Sequence, residues 1–179
     1  MTTTTITPQG KMVTGLFNDR ASAERAYESL QERGYGRDDV NLVMSDDTRK
    51  TQFGTTQGAT TELGTKAAEG AGVGGAIGGT VGAIVAAIAA VGTTIAIPGL
   101  GLVIAGPLAA AIAGAGAGGA AGGLVGALVG WGIPEERVQR YEAGIKNGGI
   151  LIGVRSRSDD DATFFAEEWK KNHAADVHA

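Results

Sequence analysis

An α+β fold interrupted by a long uncharged insertion is what this sequence predicts, and three observations predict it. Near both ends of the chain, short apolar stretches alternating at period two flank amphipathic stretches at period 3.6. All charge sits in those end regions: between Glu69 and Glu135 no Asp, Glu, Lys or Arg occurs. Within that gap glycine or alanine recurs every fourth residue over two stretches, with Pro98 between them and Pro107 near the start of the second.

Residues 1–10, "MTTTTITPQG", read as a flexible tail, with no basic segment followed by an apolar run and hence no secretory signal. "KMVTGLF" places Val13, Gly15 and Phe17 on one side of a short strand. "NDRASAERAYESLQERGYG" follows as a helix, with Asn18 or Asp19 as N-cap. Ala23, Ala26, Tyr27 and Leu30 share one face, and Gly34 closes it. "DVNLVMS" is a second strand with Val40, Leu42 and Met44 inward. A strand–helix–strand crossover makes the two strands parallel.

The far end repeats this logic. Pro134 opens a helix with Val138, Tyr141 and Ile145 on one face, and Gly148 or Gly149 ends it. "ILIGVRS" is the most apolar strand. Ser158 and the acids Asp159, Asp160 and Asp161 then stand at a helix N-terminus, where the dipole favours negative charge. That helix turns Ala162, Phe165, Ala166 and Trp169 inward, and "DVHA" adds a short edge strand. Neither end has enough strands to be stable alone. Joined, residues 11–50 and 132–179 form a head of ferredoxin-like kind, βαβ-(insert)-αβαβ, with helices over one sheet face.

The stretches "VTGLFNDRASAERAYESLQERGYGRDDVNLVMSDD", "GIPEERVQRYEAGIKNGGILIGVRS" and "DDATFFAEEWKKNHAADV" resemble the bacterial general-stress-protein domain of YflT type. They are also similar to cyanobacterial low-temperature-induced proteins, some of which carry a glycine-rich insert. The resemblance covers most of residues 11–50 and 132–178 and implies a stress-associated bacterial protein. It brings no catalytic residues with it.

Residues 51–66 read as a linker and 67–131 as an apolar helical hairpin, its tip at Pro98, Gly99, Leu100 and Gly101. The first arm carries Gly70, Gly74, Gly78, Gly82, Ala86 and Ala90. The second carries Gly106, Ala110, Gly114, Gly118, Gly122, Gly126 and Gly130. Glycine costs a helix about 1 kcal/mol relative to alanine, so its repetition needs a return. Four residues turn a helix by about 400°, and the resulting stripe of missing side chains lets two backbones pack closely. Branched residues such as Ile77, Ile88, Ile112, Leu124 and Leu128 form a second apolar face that also needs cover. Lipid would supply it, with Trp131 at the interface belt. So would other copies of the chain, and so would an ordinary intramolecular core.

Composition excludes several classes. A net charge of −4 and a pI near 5.2 argue against nucleic acid as a partner. There is no cysteine. "GAGVGG" at Gly70 and "GAGAGG" at Gly114 match a dinucleotide fingerprint, but the first follows "ELGTKAAE", which reads as helix, with no acid downstream until Glu135, and chance matches are expected among 31 glycines. His173 and His178 read as a solvated tail, and nothing resembles a nucleophile held by a base. The sequence therefore predicts a non-enzymatic protein with no cofactor and no metal. Its expected partner is itself, through the glycine stripes, with a lipid bilayer as a second partner. Its expected location is the cytoplasm, at the cytoplasmic face of a membrane. A soluble assembly with the hairpins buried inside is the alternative, and a small-ligand sensor built on the head is the other.

Overall fold

The computed structural model describes residues 10–53, 94–97, 101–114, 125–126, 128–129 and 133–179. In chain order the elements are β1 (Met12–Phe17), α1 (Arg20–Glu32), a 3-10 turn (Arg37–Asp39), β2 (Val40–Ser45) and α2 (Asp46–Phe53). Then come β3 (Thr94–Ile97), β4 (Leu102–Ala105), α3 (Pro107–Gly114), α4 (Glu135–Lys146), β5 (Ile150–Arg155), α5 (Asp159–Lys171) and β6 (Asp176–His178). The six strands make one sheet in the order β3-β4-β2-β5-β1-β6, and every neighbouring pair is antiparallel.

The local chemistry behind the head elements is plain. Asp19 caps α1 by accepting from the Ser22 amide at 2.8 Å, and Ser158 caps α5 by accepting from Asp161 N at 3.1 Å. β5 runs through the middle, pairing Ile152 with Gly15 of β1 and with Leu42 of β2. Both neighbours are antiparallel to β5, so β1 and β2 do run parallel, but they do not touch.

Helices cover both faces, not one. On the first face α1 and α5 meet Val13, Phe17, Val40, Leu42, Met44, Ile150, Ile152 and Val154 around Trp169 and Phe165. On the second, α4 and α3 meet Leu16, Val43, Ile104 and Leu151. Burial on both faces explains why β2 and β5 read as near-continuous apolar runs rather than alternations.

The centre of the insertion departs most from expectation. Where the tip of a helical hairpin was expected, "TIAI" and "LVIA" form β3 and β4, with Ile95 opposite Ile104. Both runs are rich in β-branched residues, and β4 docks on β2, pairing Val43 with Ile104 and Ser45 with Leu102. Without them the peptide groups along that side of β2 would be an open sheet edge. The second apolar helix accordingly begins at Pro107, leaving Gly106 of the expected second arm outside it, and α2 takes up 51–53, the start of the expected linker.

Candidate functional site

Asn41 ties the insertion to the head. It lies on β2 with its side chain toward the second face, and only 4 % of it is exposed. Its Nδ2 donates to the Gly153 carbonyl at 3.3 Å, and its Oδ1 accepts from the Leu108 amide at 2.7 Å. The need for that bond follows from the start of α3. Pro107 has no N–H, and Gly106 before it has no side chain to cap with, so the first free amide of the helix is served from a strand 67 residues earlier. Replacing Asn41 with leucine keeps the size but orphans the buried Leu108 N–H and removes an extra donor from the Gly153 carbonyl. A loss of about 1–3 kcal/mol is expected, measured by chemical denaturation, with hydrogen exchange at Leu108 rising first.

From that anchor the chain sorts its side chains by face. Leu108, Ala109 and Leu128 are buried with Val138, Tyr141 and Ile145 of α4 and with Leu151 of the sheet, and Val125 packs half-buried against them. Ala110 and Gly126 point outward, and a Cβ built on Gly126 would meet nothing within 4 Å. Val129 is 44 % exposed. Leu108 and Leu128 therefore face the head's own sheet while Val129 does not, and of the fourfold series Ala110 and Gly126 face away while Gly106 is buried.

The other residues of the expected stripe and tip fall as follows. Gly106 is in the β4–α3 turn, not on a helix, with φ at 100°. Gly114 is the last residue of α3. Gly101 precedes β4, and its carbonyl accepts from the Asp46 amide at the start of α2, at 2.7 Å. Gly70, Gly74, Gly78, Gly82, Ala86, Ala90, Gly118, Gly122 and Gly130 lie outside the described residues, as do Pro98, Gly99, Leu100 and Trp131.

Two polar clusters were missed by sequence reasoning. Tyr35 receives the Arg157 amide on its hydroxyl at 2.6 Å and donates to Asp161 at 2.8 Å, while Arg33 bonds the other oxygen of Asp161 at 2.9 Å. The bond from Tyr35 holds the Asp161 carboxyl below the usual range, and burial pushes the Tyr35 hydroxyl up. This cluster bolts the end of α1 to the start of α5. On the opposite face Tyr141 bonds Thr14 Oγ1 at 2.8 Å, and Arg137 binds Asp176 of β6. Burial raises the Tyr141 hydroxyl. In each cluster the polar groups bond one another. Among the described residues no three His, Cys, Asp or Glu side chains could hold a metal ion, and no helix is long and apolar enough to cross a membrane.

Asn41 left a signal that could have been read. An asparagine inside "VNLVMS" is out of place by β-propensity, and a polar residue between two buried positions implies a partner. Comparison with protein families, with curated proteins and with solved structures found no match to this chain.

Proposed function

We propose that this is a non-enzymatic, stress-associated structural protein that self-associates through its glycine-rich segments. The head reads as a ferredoxin-like sandwich: β6-β1-β5-β2 with α1 and α5 across one face has that strand order, and β3, β4, α3 and α4 are additions to it. The observation that carries the reading is the sorting of faces beyond Asn41. Leu108 and Leu128 are spent on the head's own core, while Ala110 and Gly126 of the fourfold series are turned outward, with Val129 the apolar side chain exposed beside Gly126. Such a surface suits close backbone packing against a like helix.

Anchoring the middle of the insertion also favours other copies over lipid as the partner. A chain that leaves the head after Phe53 and rejoins its sheet at Thr94 crosses a bilayer an even number of times. The uncharged stretch from Gly70 to Gly92 has the length for one span of about 20 residues, not two.

Gly126→Leu tests the proposal. Gly126 is exposed and a Cβ there meets nothing within 4 Å, so the fold should be unharmed or stabilised by up to about 1 kcal/mol. Light scattering should show an assembly for the parent protein and a species near 18.0 kDa for the variant. A parent protein that is itself a monomer, or a variant of parental particle size, sinks the proposal. Recovery of the parent in a carbonate-resistant membrane pellet would return lipid to first place.

A further inference from the structure

β6 is a three-residue edge strand beside β1, and two arginines of α4 reach its Asp176. It pairs with β1 through Thr14 opposite His178, Gly15 opposite Val177 and Leu16 opposite Asp176, and the Ala175 amide donates to the Leu16 carbonyl at 2.7 Å. Alternation divides its side chains. Val177 packs on the first face with the cluster containing Trp169 of α5. Asp176 and His178 share the second face, where α4 lies.

There Asp176 binds Arg137, and Arg140 approaches it at 3.7 Å. Beside them Tyr141 bonds Thr14, the residue opposite His178. The half-buried imidazole thus shares its face with the Arg137 guanidinium of α4, the Asp176 carboxylate of its own strand, and an uncharged hydroxyl pair from β1 and α4, with Arg140 on the far side of Asp176's ion pair. α5, across the other face, meets β6 at Val177. A proton on His178 would add a positive charge beside Arg137, the residue that holds Asp176.

We propose that β6 is an acid-released strand, held on β1 by the Arg137–Asp176 pair and loosened when His178 acquires charge. Burial, followed by Arg137, holds the imidazole pKa below its ordinary value against the opposing pull of Asp176. The released strand binds protons at an ordinary histidine pKa of about 6.5, and the docked strand only at lower pH. Docking is therefore at full strength above about pH 6.5 and weakens as pH falls toward the docked-state pKa, by up to tenfold per pH unit. Release would free the peptide groups of Thr14 and Leu16 along β1, a sheet edge open to pairing with another strand.

Hydrogen exchange of the full chain between pH 7.5 and 5.5, corrected for intrinsic rates, tests this. Protection of residues 175–178 and of Thr14 is expected to fall by up to about tenfold, with Ile152 in the sheet centre unchanged. His178→Gln, which cannot acquire the charge, should abolish the response, and His173→Gln, at an exposed position, should keep it. Constant protection in the parent protein overturns the proposal. So does an undiminished response in His178→Gln, or an equal loss at Ile152, which would mean global unfolding.

Discussion

Gly106→Ala is expected to cost about 3–5 kcal/mol, more than most single substitutions. Two effects combine. The residue sits at φ 100°, a conformation whose strain for a side chain is on the order of 1–3 kcal/mol. The added Cβ would also lie 2.2 Å from the Val40 carbonyl oxygen and 3.1 Å from Asn41 Cα. Those atoms are backbone of β2, clamped between β4 and β5, so the neighbour has no rotamer to yield. Gly101→Ala separates the two effects. It has φ 60° but nothing within 4 Å, and should lose only about 1–2 kcal/mol. Urea denaturation of both variants checks the difference. Because Gly106 leads from β4 into α3 beside Asn41, its variant should also expose the Leu108 amide and detach the insertion before the head unfolds. Equal losses in the two variants would mean that the close approach to β2 is not real.

Trp169→Ala should be comparably severe, at about 3–5 kcal/mol. The indole is fully buried, edge-on to Phe17 at 5.9 Å between centroids and stacked near Phe165 at 6.1 Å. Its N–H is shared between the Ala26 carbonyl and Ser29 Oγ, each at 3.3 Å, so it joins α5 to α1 as well as filling the space between them. Against a typical domain stability of 5–15 kcal/mol this is a large fraction, readable as a drop in Tm. Trp169→Phe keeps much of the ring area but loses both bonds, and should fall between. A loss below about 1 kcal/mol in the alanine variant would mean the first face collapses around the gap or is loosely packed.

The head was legible because its signals are local. Asp19 and Ser158 cap helices through amides three residues on, and the apolar faces of α1, α4 and α5 follow a fixed angular period. Their positions could be counted without knowing what they pack against. "TIAI" and "LVIA" stand among Pro98, Gly99, Gly101 and Pro107, which break helices and mark a connector, and each is only four residues long. "TIAI" pairs with "LVIA", and the pairing partner of "LVIA", β2, lies some 60 residues earlier in the chain. Short apolar runs carry no periodicity that separates strand from helix or loop. Asn41 and Tyr35 were passed over for the same reason: their partners, Leu108, Gly153, Asp161 and Arg157, are distant in sequence and nothing in the spacing connects them.

What the sequence determined by itself was the inventory and the segregation: which stretches are strands or helices in the head, where charge is absent, and where side chains are missing every fourth residue. Those properties reside in neighbouring residues and survive without tertiary contacts. Tertiary structure alone decided that the insertion is stitched to the sheet at its midpoint, that both faces of the sheet carry helices, and that Leu108 and Leu128 turn inward while Ala110 and Gly126 turn out. An apolar side chain is driven out of water with no preference for what covers it. The choice among lipid, another copy and the head's own sheet rests on directional bonds, here the ladder between β2 and β4 and the amide of Asn41.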